Sequence, residues 1–105
     1  MQELLKGKPG DKLLLLGNEA IARGAVEGGL AFATAYPGTP SSEVALSFYQ
    51  IKQETDLYFE YSTNEKVALE VAAAASLAGL RGLCAMKQNG LNVASDFLLN
   101  LNLSG

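Results

Sequence analysis

The sequence predicts an α/β fold, a parallel sheet with flanking helices. Short apolar runs alternate with segments of helical periodicity along the 105 residues. Each apolar run is followed by a polar turn rich in small residues, and each turn opens a helix. Strands and helices in this order form parallel sheets with right-handed crossovers. No internal repeat or low-complexity linker interrupts the pattern, so no domain boundary is expected inside the chain.

The first strand–helix unit is expected after a loosely ordered lead-in at 1–11. The run "KLLLLG" (12–17) is continuous, apolar and ended by glycine, which is typical of a strand buried on both faces. A helix is expected over 18–33, "NEAIARGAVEGGLAFA". Asn18 is its expected N-cap, and Glu19 suits the positive end of the helix dipole.

The second unit begins with a short strand at 34–37, "TAYP". Its helix is expected to run through "SSEVALSFYQIKQE" (41–54), with Thr39 as N-cap and Pro40 in the first turn. The turn "YPGTPSSE" (36–43) has two interpretations. It is either a capping box, with Thr39 or Ser41 paired to Glu43, or a stiffened turn whose hydroxyls and amides face a ligand.

The last two units follow the same pattern. The alternating, aromatic "LYFEYS" (57–62) predicts a third strand. A helix over 63–79 is expected to be capped by Thr63 or Asn64 and ended by Gly79. "RGLCAMK" (81–87) predicts a fourth strand, and "QNGLNVASDFLLNLNL" a final helix or loop.

Composition excludes several classes of protein. A net charge of −3, from 8 basic and 11 acidic residues, argues against nucleic-acid binding. There is no histidine and Cys84 is the single cysteine, so neither an internal disulfide nor a Cys/His metal site is expected. Cys84 is expected to be a small core residue. The leucine run is too short to span a membrane and no signal-peptide cleavage site follows it, which predicts a cytoplasmic protein.

Charged residues are sparse after Val67, where only four occur: Glu70, Arg81, Lys87 and Asp96. A free surface normally carries more charge. This half of the chain is therefore expected to be covered by more polypeptide or by a partner, and an oligomer is expected.

The candidate site is the carboxyl edge of the sheet, where parallel α/β folds bind ligands. The turns "GNEA", "YPGTPSSE", "STNEK" and "KQNG" should meet there, each at a helix N-terminus that favours anionic or polar ligand atoms. Neither common phosphate-loop signature is present. Glu65 has two interpretations that the residues leave open: a carboxylate serving the helix dipole, or one aimed into a site, where it holds or shares a proton.

Three segments together carry a family resemblance: "LLLLGNEAIARGAVEGG", "AYPGTPSSEV" and "EYSTNEKVALEVAAAASLAGLRGLCAMKQNGLNVASD". They resemble the start of the alpha subunits of indolepyruvate ferredoxin oxidoreductases, within the 2-oxoacid:ferredoxin oxidoreductase family. The resemblance covers essentially the whole chain. It implies the thiamine diphosphate-binding fold, with residues 1–105 as an N-terminal part of the domain that holds the aminopyrimidine ring.

The resemblance also implies roles for individual residues. Glu65 matches the family glutamate that hydrogen-bonds a pyrimidine ring nitrogen, which would make it both cofactor-binding and catalytic. Thr39 matches a threonine that faces cofactor and substrate, and Tyr36 and Pro37 would shape the same wall. No metal ligand is expected here. "PGDK" is not the Gly-Asp-Gly motif of the magnesium–diphosphate domain, and Cys84 alone cannot hold the family's iron–sulfur clusters.

The activity implied by the resemblance is oxidative decarboxylation of indolepyruvate or other aryl pyruvates. Coenzyme A would accept the acyl group and ferredoxin the electrons. The implied partners are the rest of an alpha chain and a beta subunit, and the 105 residues alone are expected to be inactive. Two alternatives stay open: a non-catalytic α/β interaction module, and a related oxidoreductase acting on another 2-oxoacid.

Overall fold

The computed structural model describes residues 2–105, with side chains from residue 4 onward. It contains three strands and four α-helices, preceded by a short 3₁₀ helix at Gln2–Leu5. In chain order they are α1 (Gly17–Glu27), β1 (Phe32–Ala35), α2 (Ser42–Ile51), β2 (Tyr58–Tyr61), α3 (Glu65–Leu77), β3 (Gly82–Ala85) and α4 (Gly90–Leu103).

The three strands form one parallel sheet in the order β2-β1-β3. In the central strand, Thr34 is paired with Glu60 on one side and Cys84 on the other. Helix α2 contacts β1 and β2 and also packs on α1, whereas α3 contacts β1 and β3 and packs on α4. The predicted α/β class, with a parallel sheet and flanking helices, is confirmed.

The two faces of the sheet are packed differently. On the face toward α1 and α2, large side chains fill the core, and the rings of Phe48 and Phe59 lie 6.3 Å apart. On the face toward α3 the buried residues are mainly alanines, at positions 68, 72, 73 and 75. A Cβ added at Gly82 would lie 2.9 Å from the Ala72 oxygen, so the α3 backbone packs almost directly on β3.

The strand predicted at 12–17 is wrong. Residues 11–16 have no regular secondary structure and α1 begins at Gly17. Leu14 is fully exposed, and Leu16 is 68% exposed. An apolar run signals burial, but a strand also requires a neighbouring strand to pair with, and none of the described strands pairs with this segment. The sheet therefore has three strands where the sequence predicted four.

Several predicted boundaries also differ. The helix predicted over 18–33 ends at Glu27, because Gly28 caps it and Gly29 turns the chain with a φ of +87°. Strand β1 then occupies 32–35 where the prediction was 34–37. Asn18 lies inside α1, and the cap position belongs to Leu16, whose amide donates to Glu19 Oε1 at 3.0 Å.

The later elements agree better with the prediction. Strands β2 and β3 lie inside the predicted segments, and the final segment is a helix. Asn64 caps α3, accepting a hydrogen bond from the Val67 amide at 3.0 Å. The helix ends before Gly79, whose φ is +94°.

The segment before α1 is attached to the core at its start. Leu4 is buried, and Arg23 donates to the carbonyl oxygens of Leu4 and Lys6. Within residues 2–105 no helix is long and apolar enough to cross a bilayer.

Candidate functional site

The polar turns meet at the carboxyl edge of the sheet. The three strand-to-helix turns are 36–41, 62–64 and 86–89, and the start of α1 lies beside the first of them. Asn18 makes this link through its side-chain amide, which donates to the Pro40 oxygen at 2.7 Å and to Glu43 Oε2 at 3.0 Å. Asn18, which the sequence predicted as a helix N-cap, instead links the 36–41 turn to α1.

The 36–41 turn is not a capping box. Helix α2 begins at Ser42, and Ser41 makes no side-chain cap bond but donates its hydroxyl to the Gly38 oxygen at 3.1 Å. Thr39 lies outside the helix, and Glu43 accepts from Asn18 instead of pairing back to the turn. The predicted cap by Thr39 is therefore wrong. The side chains of Tyr36, Pro37 and Thr39 are exposed at this edge.

The 86–89 turn packs tightly against the 36–41 turn. A Cβ added at Gly38 would lie 2.6 Å from Lys87 Cβ, closer than real side chains approach. Glycine at position 38 is therefore what lets the two turns touch. The segment that follows Lys87 leads directly to Gly90, the first residue of α4.

Glu65 is the first residue of α3 and lies against Gly90. The side chain is partly buried, and no described residue donates a hydrogen bond to its carboxylate or forms an ion pair with it. The segment 87–90 therefore touches both the turn that carries Thr39 and the side chain of Glu65. A partly buried carboxylate without a donor from the chain is available to a ligand.

Behind Glu65 lies a small group of polar side chains on the α3 face of the sheet. The Thr34 hydroxyl donates to the Ala68 oxygen at 2.6 Å and is fully buried. Burial raises the pKa of the Cys84 thiol, the nearby Thr34 hydroxyl opposes this, and the negative charge of Glu65 raises the pKa further. Cys84 is partly buried, and the net effect of these contacts favours the neutral thiol.

Sequence reasoning missed three residues at this edge: Asn18 as the link between turns, Gly90 as the neighbour of Glu65, and Ser62. The Ser62 amide donates to the Ala35 oxygen at 3.0 Å, and its buried hydroxyl has no partner among the described atoms. A serine ending a strand beside the candidate glutamate was a visible signal. The contacts of Asn18 and Gly90 join segments distant in the sequence, which no local pattern reveals.

Comparison with known proteins shows which proteins the chain is similar to. No protein-family model matches the chain. The chain is 53% identical over 102 residues to the indolepyruvate oxidoreductase subunit IorA of Pyrococcus horikoshii, and 50% identical over 105 residues to that of Methanothermobacter thermautotrophicus. These alignments cover 97% and 100% of the chain but only 16% and 17% of the relatives. The chain thus spans about a sixth of the length of these curated relatives.

A solved structure gives the same relationship. The 2-oxoglutarate:ferredoxin oxidoreductase from Magnetococcus marinus, solved with 2-oxoglutarate, coenzyme A and succinyl-CoA bound, superimposes with a TM-score of 0.75 at 30% identity. The match covers 81% of the chain and 15% of that protein.

The fold, the order of the turns and these similarities define the class: the chain belongs to the 2-oxoacid:ferredoxin oxidoreductase family, as its sequence predicted. Within that family, the relatives that match nearly all of the chain at 49–55% identity are indolepyruvate oxidoreductase subunits. These relatives are enzyme subunits, and the chain matches about a sixth of their length.

Proposed function

We propose that this chain forms part of the thiamine diphosphate site of an indolepyruvate:ferredoxin oxidoreductase. The observation that carries the proposal is Glu65. Its carboxylate lies at the carboxyl edge of the sheet, partly buried and with no hydrogen bond from any described residue. Such a group is suited to a ligand nitrogen, which would supply the missing hydrogen bond.

The residues present fit the aminopyrimidine part of the cofactor. Glu65 would bind a ring nitrogen and hold or move the proton there. Thr39, Tyr36 and Pro37, exposed on the neighbouring turn, would form the wall that faces cofactor and substrate. The buried, unpartnered Ser62 hydroxyl adds a second polar group at the same edge.

When bound, thiamine diphosphate would supply a carbon nucleophile for the 2-oxo group and an electron sink for the loss of carbon dioxide. In the reaction we propose, a 2-oxoacid and the thiol of coenzyme A would be converted to acyl-coenzyme A, carbon dioxide and a proton, and the two electrons released would reduce ferredoxin. The contribution of this chain is to place the cofactor and to control one proton.

Other parts of the reaction require residues that these 105 do not include. We propose that the magnesium–diphosphate contacts come from another domain, and that iron–sulfur clusters are held elsewhere in an assembly with a beta subunit. The expected location of this assembly is the cytoplasm. The chain alone should show no magnesium-dependent binding of thiamine diphosphate in calorimetry, because the ligands of the diphosphate are lacking.

The substrate proposal rests on the gradient of similarity. Identity is 49–55% to indolepyruvate oxidoreductase subunits but 30–31% to 2-oxoglutarate synthase subunits from Archaeoglobus fulgidus and Methanothermobacter thermautotrophicus. The test is to assay the complete oxidoreductase that contains this segment for ferredoxin reduction, with coenzyme A and each of indolepyruvate, phenylpyruvate, pyruvate and 2-oxoglutarate.

We expect the highest kcat/KM with the two aryl pyruvates, and no ferredoxin reduction when coenzyme A or the 2-oxoacid is omitted. A preference for 2-oxoglutarate or pyruvate would move the protein to another branch of the family. The proposal would be contradicted if ferredoxin reduction continued unchanged after thiamine diphosphate was removed. It would also be contradicted if no 2-oxoacid supported ferredoxin reduction.

A further inference from the structure

Gly90 occupies a position from which a side chain would collide with the candidate catalytic carboxylate. A Cβ built on Gly90 would lie 2.4 Å from Glu65 Cγ, 2.5 Å from Oε2 and 2.7 Å from Cδ. Real Cβ atoms do not approach other heavy atoms so closely, so any other residue at position 90 would push the Glu65 side chain aside.

Backbone conformation does not explain this glycine. Its φ is not in the left-handed region, unlike that of Gly29 or Gly79, so other residues could adopt the same backbone. Glycine is also among the poorest residues for a helix, yet it is the first residue of α4. The space taken by the Glu65 side chain gives a direct reason for a glycine there.

Gly90 lies in a segment that contacts both Glu65 and the 36–41 turn. Gly90 is buried, and its amide donates to the Lys87 oxygen at 2.8 Å. Lys87 in turn touches Gly38 of the turn that carries Thr39. One short segment thus sets the place of both Glu65 and the neighbouring turn.

We infer that Gly90 is a positioning residue for Glu65: its missing side chain lets the start of α4 close against the carboxylate and fixes where that carboxylate points. The consequence for catalysis rests on the proposed function, whereas the contact itself does not. Gly24 offers a matched control, since it is a helix glycine around which a Cβ would meet nothing within 4 Å.

The first test is a double-mutant cycle in the complete subunit that contains this segment, followed by urea unfolding. Gly90→Ala should lower the urea midpoint when Glu65 is present and leave it unchanged or raised when Glu65 is replaced by Ala. Gly24→Ala should raise the midpoint by a similar amount in both backgrounds. If Gly90→Ala folds only together with Glu65→Ala, the inference is also supported. An equal loss in both backgrounds, or failure to fold in both, would overturn it.

The second test reads the position of the carboxylate. With ¹³C-labelled glutamate, the side-chain carboxyl resonance of Glu65, assigned with Glu65→Gln, should shift in Gly90→Ala and stay in place in Gly24→Ala. An unshifted resonance in Gly90→Ala would refute the positioning role.

The third test uses the complete oxidoreductase loaded with thiamine diphosphate. Gly90→Ala should slow hydrogen–deuterium exchange at the thiazolium carbon by about a hundredfold, the loss typical of a ~1 Å misplacement, with little change in KM for the 2-oxoacid. Slowed exchange in Glu65→Gln but normal exchange in Gly90→Ala would overturn the inference. Normal exchange in both, with the first two tests positive, would leave the positioning intact and remove the proposed function.

Discussion

At the scale of single residues, the carboxyl edge depends on glycines that let segments approach and on polar side chains that lack hydrogen-bond partners among the described residues. Gly38 and Gly90 let neighbouring segments approach. Among the described residues, the buried Ser62 hydroxyl has no partner and the Glu65 carboxylate has no donor. A buried polar group without a protein partner needs water or a ligand to satisfy it, which makes Ser62 and Glu65 candidates for contact with a ligand. The Glu65 position was predictable from its motif, but its isolation was not, because hydrogen-bond partners depend on tertiary contacts.

Cys84 provides a prediction at this scale. Burial and the charge of Glu65 raise the pKa of its thiol, so less thiolate is present near pH 8 than in the unfolded chain. Alkylation by iodoacetamide in the folded protein should be at least about tenfold slower than in the urea-unfolded protein. Equal rates in the two states would show that the thiol is neither buried nor perturbed.

The same shift predicts a pH dependence of stability. The pKa of the Cys84 thiol is higher in the folded protein than in the unfolded chain. The contribution of the neutral thiol to the free energy of unfolding is therefore fully present below about pH 8.5, and it is lost as the pH rises through the folded pKa. The loss should be smaller in Cys84→Ala, which has no thiol to titrate. Urea unfolding of both proteins between pH 7 and 10 measures the difference.

At the scale of elements, prediction succeeded where the signal was local. Helix α3 was predicted closely because Asn64, which caps it, and Gly79, which ends it, act within a few residues of the helix ends. The run at 12–17 was assigned wrongly because burial of a strand depends on a neighbour elsewhere in the chain. The capping box at 36–43 failed for a related reason, since Glu43 is paired with Asn18 across 25 residues.

The link between α1 and the 36–41 turn can be tested directly. Asn18→Ala removes two hydrogen bonds, to Pro40 and Glu43, and should cost about 1 kcal/mol in the free energy of unfolding. The matched control is Asn102→Ala on α4, an exposed helical asparagine whose side chain has no bond among the described residues. Its effect should stay within about 0.5 kcal/mol. Equal effects of the two substitutions in urea unfolding would argue against the link.

At the scale of the whole molecule, large apolar side chains remain on the surface. Leu14 is fully exposed, Leu77 is 86% exposed and Leu103 is 83% exposed. Leu77 and Leu103 lie in the part of the chain after Val67, where charged residues are few, so little charge protects the surface around them.

We therefore expect the chain to self-associate or to be only marginally stable in isolation. Light scattering should show a mass that rises with concentration, and Leu77→Lys together with Leu103→Lys should reduce the rise. Tyr49→Lys, on the distant helix α2, serves as a control that adds charge away from this surface. A monomer at high concentration with a sharp thermal transition would contradict the expectation.

The central claim is that the Glu65 carboxylate controls a proton of bound thiamine diphosphate. Glu65→Gln keeps the shape of the side chain and removes the proton-sharing group. If Glu65 served only the helix dipole, the change would cost less than about 1 kcal/mol of stability and leave the chemistry unaltered.

The most direct measurement is the rate of hydrogen–deuterium exchange at the thiazolium carbon in the complete oxidoreductase, compared between wild type and Glu65→Gln. With the fold and cofactor binding retained, we expect exchange and indolepyruvate-dependent ferredoxin reduction to fall by roughly two orders of magnitude, the scale of a lost proton-transfer group. Unchanged exchange in a folded, cofactor-loaded Glu65→Gln enzyme would contradict the account and return Glu65 to a structural role at the start of α3.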